Sequence, residues 1–498
     1  VLLHEVLELA AATAPDRTAL VDGGRRVTFA ELDDLVARTA AGLARLAPPG
    51  DHVGIVADNS LDFVVALYAA PRAALVLVPG NTRLRAADLV EQLEGCGATV
   101  VLGDRSSLDR LDAEPGRRDW RTVELGDRDL VAPDRSGPAV RDATAPAWCI
   151  HTSGTTGRPK GSVLTHASLL AAATNTALGR GVADDDVYLF PFPLFHVAAY
   201  NVVVHHLCRR PVVLLPRFDA AAVQAATAAE GVTSMSLAPT MLAMLLDDPG
   251  RDDAALRTLR RISYGASAMP LDLLLRVQRE LPDVGLAQGY GMTELSGNAV
   301  FLGPDEHRRA AAGEADLLAA AGRPGPLAAV RIADPGGAPL PAGEVGEILV
   351  RGDQVHAGYR ADPAATAAAR HGPWLRTGDV GRLDAAGHLH VVDRLKDIII
   401  TGGENVASRA VEDVLSTHPD VAAVAVVGEP DERWGERVTA VVVWRAGTRD
   451  DDDTRAAALL GWSRDRLAGF QRPRSVRTVD ALPTNASGKV DKRALRNG

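Results

Sequence analysis

Strand-like and helix-like segments alternate along most of this chain, and that alternation restricts its fold more than any other feature. "TFAELDDLVARTAAGLARL" (28–46) places apolar residues at helical spacing after Thr28. "HVGIVAD" (52–58) is an apolar run of strand length, "SLDFVVALYAAPRAA" is helical again, and "LVLVPG" reads as a strand. The pattern continues through "DDVYLFPFP", "RPVVLLPRF", an Ala-rich helix over 220–230, "VTSMSLAP" and "RRISYGAS" (260–267). Repeated strand–helix units predict a layered α/β sheet. From about Arg323 the texture changes to short strands divided by Pro/Gly turns, as in "GRPGPLAAVRIADPGGAPLPAGEVGEILVRG". This predicts a small β-barrel or meander over about 323–393. The alternation returns near Arg394 in "SRAVEDVLSTHP", "VAAVAVVGEP" and "RVTAVVVWR". The expected division is a large N-terminal domain, 1–393, and a small α+β C-terminal domain, 394–498. No internal repeat is visible.

Composition narrows the partners. The net charge is −10 with no basic tract, which argues against nucleic acid. Cys96, Cys149 and Cys208 form no CxxC pair and no even framework, which suits a reducing cytoplasm and no structural zinc. The opening "VLLHEVLELAAATAPD" suits an amphipathic helix and lacks the basic, unbroken apolar pattern of a signal peptide. Val187 to Cys208 has no formally charged residue. Pro191, Pro193, three histidines and Asn201 interrupt it, so it reads as a strand, a loop and a buried helix, and no integral membrane association is expected. The acidic "TRDDDDTR" (448–455) reads as a solvated loop before a helix.

"IHTSGTTGRPKG" (150–161) has the composition of an anion-wrapping loop. It is not a P-loop, because Pro159 occupies the second glycine position and Gly161 follows Lys160. What remains is a set of hydroxyls and glycine amides able to surround polyphosphate oxygens, or else a plain surface turn. Lysine usage sharpens the choice. Of 54 basic residues only Lys160, Lys396, Lys489 and Lys492 are lysines. They fall in three stretches, "IHTSGTTGRPKG", "DRLKDIIITGGENV" and "PTNASGKVDK". A compact ammonium on a flexible stem is not replaceable by arginine in a tight site, so these stretches are candidate sites.

Seven stretches occur in one order: "TSGTTGRPKG" (152–161), "PLFH" (193–196), "GYGMTE" (289–294), "GYRADP" (358–363), "WLRTGDVG" (374–381), "DRLKDIIITGGENV" (393–406) and "PTNASGKV" (483–490). Together they resemble the adenylate-forming superfamily of acyl-CoA synthetases, carrier-linked adenylation domains and beetle luciferases, over nearly the whole chain. The resemblance implies that a carboxylate attacks the α-phosphate of ATP, giving acyl-adenylate and pyrophosphate, and that a thiol then takes the acyl group. It implies that Thr152, Ser153, Thr155, Thr156 and Lys160 hold the β- and γ-phosphates. Glu294 would hold Mg²⁺, Thr293 would bond the α-phosphate, and Tyr290 would stack on adenine, with Gly265, Ala266 and Gly289 beside the nucleotide. Asp379 would accept the ribose hydroxyls and Arg394 would reinforce that contact. Lys489 would bridge the substrate carboxylate and the α-phosphate.

The same resemblance implies a mobile C-terminal domain that rotates about Lys396 between the two half-reactions, with Gly402 and Gly403 beside the pantetheine arm. "RWGERV" (433–438) is similar to CoA-forming members. His196 stands where amino-acid-activating members carry Asp, which points to a plain carboxylic acid, aliphatic, aryl or polycyclic. Phe195, Tyr200, Val204, Met235 and Gly291 would line the acyl pocket, whereas His205 and His206 are read as structural. The expected activity is an AMP-forming acid–CoA ligase using ATP, Mg²⁺ and CoA. Rival readings are an enzyme that loads a carrier-protein phosphopantetheine and a nucleotide-binding protein on a decayed scaffold. Ser408 and Ala410 replace the proline and glutamate usual after "GGENV".

Overall fold

The computed structural model describes residues 1–115, 120–127, 130–135, 140–152, 160–265, 269–445, 451–484 and 490–496. Three sheets organise them. The first has parallel strands His52–Val56, Val76–Pro79, Ala98–Gly103 and Arg121–Glu124. It ends in the antiparallel pair Pro146–Thr152 and Lys160–Thr165, with Gly358–Tyr359 on its edge. The helices between these strands form where the apolar spacing put them. Phe29–Leu43 starts at Thr28, whose hydroxyl accepts from Glu31 N–H at 3.2 Å while the Glu31 carboxylate accepts from Thr28 N–H at 2.8 Å. Trp148 is fully buried on the first sheet and its indole N–H reaches the Leu67 carbonyl at 2.9 Å.

The second sheet changes character along its width. Thr18–Asp22, Val212–Leu214, Tyr188–Phe190, Ser234–Leu237, Arg261–Gly265 and Gly285–Met292 run parallel. From Gly297–Leu302 onward the neighbours are antiparallel: Ala320–Pro324, Leu389–Arg394, Trp374–Leu383, Gly346–Arg351 and Ala329–Ala333. Of the two forms expected over about 323–393, barrel or meander, the strands take the open meander. Among the described residues, no pairing joins Ala329–Ala333 back to Ala320–Pro324. The edge that closure would have used is instead paired with Gly297–Leu302, which satisfies its backbone groups equally well.

The third sheet contains Glu404–Ala407, Ile398–Thr401, Gly435–Trp444, Val421–Asp431 and Ser475–Thr478. It has its own core around Ile399, Val406, Val411, Val426 and Leu459, with helices Ser408–Leu415 and Asp452–Arg464 nearby. Within Val187–Cys208 the order is strand Tyr188–Phe190, a short turn Val197–Ala199 and helix Tyr200–Leu207. Among the described residues no helix is long and apolar enough to cross a membrane.

Buried histidines mark the interior. His206 pairs with the Tyr68 hydroxyl at 2.9 Å and the Ala19 carbonyl at 3.1 Å, and His205 stacks on Tyr188 at 3.8 Å. Burial holds His4, His52, His166, His206 and His356 down to about 4 and His205 to about 3. Unfolding lets each bind a proton below pH 6.5, so stability is intact above that value and is lost as pH falls toward 4. The loss is about 1–2 kcal/mol for each such group by pH 5. Denaturant melts at pH 7.5 and 5.0 should give a markedly lower midpoint at the acid pH; equal midpoints would contradict the buried neutral histidines.

Candidate active site

The anion hairpin is partly visible. Thr152 and Lys160 stand opposite one another where its two strands end. Ser153, Thr155 and Thr156 lie outside the described residues. Lys160 Nζ is 3.7 Å from Asp362 Oδ2 and 5.3 Å from the centre of the Tyr359 ring. Gly358–Tyr359 pairs with the same hairpin, so one short strand carries these partners to the lysine.

Glu294 is in the turn Thr293–Leu295, directly after strand Gly285–Met292, with Thr293 half-buried beside it. The Glu294 carboxylate is buried and accepts from the Tyr359 hydroxyl at 2.9 Å. Its backbone carbonyl accepts from His356 N–H at 2.9 Å. Burial, then the Glu294 charge, raises the Tyr359 phenol, so it remains a donor. Among the described residues no cluster of three or more His, Cys, Asp or Glu forms an all-protein metal cage. One buried carboxylate is instead the sparse donor set that Mg²⁺ accepts where phosphate oxygens supply the other ligands.

Asp379 faces Arg394 across the antiparallel pair Trp374–Leu383 and Leu389–Arg394. Arg394 Nε is 2.7 Å from Asp379 Oδ1, and the Tyr290 hydroxyl donates to Asp379 Oδ2 at 2.7 Å. Burial, then Asp379, pushes the Tyr290 phenol well up, which fixes it as the donor. These two donors, one on each oxygen, fix the direction of the Asp379 carboxylate. Gly265 and Gly289 are paired in register. A Cβ on Gly265 would fall 2.6 Å from the Gly289 carbonyl oxygen, and one on Gly289 would fall 2.2 Å from Asn298 Nδ2. Ala266 lies outside the described residues.

Of the residues expected at the acyl pocket, Phe195, Tyr200 and Val204 share one apolar cluster, and Gly291 is paired with Asn298, which Tyr200 bonds. His196 precedes the Val197–Ala199 turn with its ring 4.5 Å from Phe195. The Tyr200 hydroxyl accepts from Asn298 N–H at 3.3 Å and sits 3.1 Å from Thr176 Oγ1. Val204 and Met235 are fully buried, Val204 in the same apolar cluster as Phe195 and Tyr200 and Met235 in a neighbouring one. A Cβ on Gly291 would meet the Gly297 carbonyl oxygen at 2.1 Å, so close strand contact favours glycine there.

In the C-terminal part, Lys396 is exposed in the turn Leu395–Asp397, and its carbonyl accepts from Arg496 at 3.2 Å. Gly402 and Gly403 form the two-residue turn between Thr401 and Glu404, with φ of 60° and 86°. Two positive φ values are the hairpin geometry that favours glycine. A Cβ on Gly402 would also lie 2.8 Å from Trp434, so this glycine is backed by the ring of the quoted "RWGERV" stretch. Arg433 and Arg474 lie over that ring at 5.0 and 4.0 Å. Lys489 lies outside the described residues. Lys492 Nζ donates to Ser408 Oγ at 2.7 Å and pairs with Glu412 at 2.7 Å, and Ser408 donates to Asp393 at 2.7 Å. Motif reading passed over Tyr359, Asp362, Trp434 and Arg474 as individuals; "GYRADP" and "RWGERV" held the signal for the first three.

The family model described as AMP-binding enzyme matches residues 7–360, and that of the AMP-binding enzyme C-terminal domain matches 410–489. A feruloyl-CoA synthase of Amycolatopsis sp is 39% identical over 493 residues, covering 98% of this chain and 96% of that protein. A ligase of Mycobacterium tuberculosis, 3-[(3aS,4S,7aS)-7a-methyl-1,5-dioxo-octahydro-1H-inden-4-yl]propanoyl:CoA ligase, is 37% identical over 508 residues, covering 97% and 96%. Among solved structures, the Bacillus subtilis o-succinylbenzoate CoA synthetase with its acyl-adenylate intermediate superposes with a TM-score of 0.87 at 32% identity. That match covers 99% of this chain and 97% of the other.

Asp379→Ala removes the acceptor on which Tyr290 and Arg394 converge. Nucleotide affinity measured by calorimetry should fall by about 1.5–3 kcal/mol, the worth of a charge-assisted hydrogen bond. Unchanged affinity would refute the ribose assignment.

Proposed function

The chain belongs to the AMP-binding enzyme family and is an AMP-forming acid–CoA ligase, and we propose that the acid it activates carries an aromatic or fused ring system. It couples the acid to ATP, releases pyrophosphate and passes the acyl group from the adenylate to the CoA thiol. Support for a ring-bearing acid comes from the names of relatives: feruloyl, indane-propanoyl and indoleacetate ligases match over nearly their full lengths. The absence of a carboxylate at His196 suits an acid without an ammonium group.

The observation that carries the site reading is that Tyr290 and Glu294, four residues apart on one strand and turn, are each bound by an incoming group. In this reading Asp379, held by Tyr290 and Arg394, takes the ribose hydroxyls, and the Tyr290 ring lies against adenine beside Gly265 and Gly289. Thr152, Lys160 and the hairpin hydroxyls hold the leaving phosphates, while Thr293 orients the α-phosphate. Glu294 would hold Mg²⁺, which would supply charge neutralisation on the phosphates. Two anions must meet for the reaction to occur, so fixed donors and in-line positioning supply most of the rate. Phe195, His196, Tyr200, Val204, Met235 and Gly291 are the acyl-side candidates. We place the division between the large and the mobile part at Asp393 and Arg394, the hinge at Lys396, and the enzyme in the cytoplasm.

CoA differs from a carrier's phosphopantetheine by its phosphorylated nucleotide. Trp434 with Arg433 and Arg474 beside the Gly402–Gly403 turn offers a cationic, aromatic surface suited to that nucleotide. Arg474→Ala should therefore raise the KM for CoA several-fold and leave that for free pantetheine unchanged. Equal effects on both would favour the carrier-loading reading.

Pyrophosphate release across a panel of aryl, polycyclic and long-chain acids identifies the substrate; preference for the long-chain acids would overturn the ring-bearing class. With the acid so found, Lys489→Ala should slow adenylate formation by roughly 10²–10³. Supplied with synthetic acyl-adenylate, the variant should still make thioester at near wild-type rate, because the small part presents a different face for thiol attack. Lys396→Pro should show the reverse pattern. Single-turnover thioester formation from preformed adenylate decides the matter: equal slowing of both steps by Lys489→Ala refutes its assignment to adenylation alone.

A further inference from the structure

Two of the three cysteines meet beneath the phosphate hairpin. Cys96 follows the helix Ala86–Gly95, and Cys149 lies on strand Pro146–Thr152. Their sulfurs are 3.3 Å apart, 53 residues distant in sequence. His151 Nε2 is 3.3 Å from Cys96 Sγ, and Arg360 Nε donates to the Cys96 carbonyl at 2.8 Å. Gly161 closes the site from the neighbouring strand: a Cβ there would lie 2.7 Å from Cys149 Sγ and 3.1 Å from Cys96 Sγ. Gly161 follows Lys160 and pairs with His151, so the sulfurs touch the backbone from which the phosphate lysine projects. The adenylation chemistry uses neither thiol.

We propose that Cys96 and Cys149 are a reversible, peroxide-sensitive dithiol whose oxidation lowers the enzyme's use of ATP. Burial of both sulfurs excludes bulky disulfides, so the oxidant is hydrogen peroxide, a neutral molecule close to water in size. Cys96 is the attacking sulfur. The hydrogen bond from the Cys149 thiol, together with His151, lowers Cys96, whereas the same pairing and burial raise Cys149. The Cys96 thiolate attacks one peroxide oxygen; an S–O bond forms, the O–O bond breaks, and the departing hydroxide takes a proton to become water. Cys149 sulfur then attacks Cys96 sulfur. The S–S bond forms, the S–O bond breaks, and the released hydroxide leaves as a second water with the Cys149 proton. Two thiols lose two electrons, and one peroxide is reduced to two waters. A small reducing dithiol reverses the bond by two exchange steps, slowly, when local opening of the hairpin admits it.

Closing the sulfurs from 3.3 Å to the roughly 2.0 Å of a disulfide requires a movement of about 1.3 Å. Gly161 leaves no free space beside them, so the movement is transmitted to the paired strands and to Lys160. The disulfide itself is independent of the function; its effect on ATP rests on the reading of this hairpin as the phosphate site.

The test exposes the reduced full-length enzyme to hydrogen peroxide. Thiols titrated after denaturation should fall from three to one, leaving Cys208, and peptide mapping should join the Cys96 and Cys149 peptides. The ATP KM should rise several-fold and return after dithiothreitol. Cys149→Ser and, in case that variant folds poorly, Cys96→Ala should keep the reduced enzyme's activity and lose its reversible peroxide response. Retention of three titratable thiols, or a bond that includes Cys208, would overturn the dithiol. A mapped Cys96–Cys149 bond with an unchanged ATP KM would overturn the regulation. Lys160→Ala assayed fully reduced separates the two ideas: an unaltered ATP KM there refutes the hairpin reading, and the coupling with it, without involving the thiols.

Discussion

The hydrogen bond from Tyr290 to Asp379 joins two parts of the second sheet that have different construction. Tyr290 belongs to the strand where the parallel half ends, and Asp379 to the antiparallel meander. A charged acceptor in a buried setting makes this contact worth about 1.5–3 kcal/mol, and losing one partner would strand the other. The contact also fixes the direction of the carboxylate, since Arg394 holds its second oxygen. The glycines at 265, 289 and 291 serve the same junction, because their strands approach too closely for any side chain.

A second fastening lies a few residues along. The segment running through Gln354, His356 and Tyr359 crosses from the meander to the hairpin that carries Lys160 and bonds to the turn at Glu294 on its way. Gln354 donates to the Leu295 and Asn298 carbonyls at 3.0 and 3.1 Å, and the Ser162 hydroxyl pairs with His356 at 2.8 Å. These bonds saturate the turn that follows Tyr290 and hold Glu294 away from bulk water. A carboxylate so placed acts more strongly on its surroundings than an exposed one, because little solvent screens it.

The C-terminal part is fastened differently. Lys492, Ser408, Glu412 and Asp393 form a short polar chain in which the lysine donates to the serine and the serine to the aspartate. Asp393 lies in the last strand of the meander, Leu389–Arg394, so the chain spans the place where the third sheet begins. Here Ser408 supplies a hydroxyl that proline lacks, which gives the departure after "GGENV" a physical role.

Local patterns were sufficient for the alternating elements, the cap at Thr28, the strand–turn–helix order of Val187–Cys208 and the motifs that show family membership, because each rests on spacing within about twenty residues. They also marked Asp379, Tyr290, Glu294 and Lys160 as candidates, and each of these has a close polar partner in the fold. Contacts between distant segments set the rest. No spacing rule places Cys96 on Cys149, Tyr359 on Glu294 or Lys492 on Ser408, since each pair meets only through sheet order and helix packing. An apolar or small residue such as Val204, Met235 or Gly291 has the same appearance in a sequence whether it lines a cavity or fills a core. The meander shows it at the level of strands, because a sequence of short strands and turns carries no information on which edge will pair. Sequence determines what each segment can form; tertiary structure decides which exposed edges, buried charges and thiols become neighbours, because those neighbours are selected by burial and backbone pairing over the whole chain.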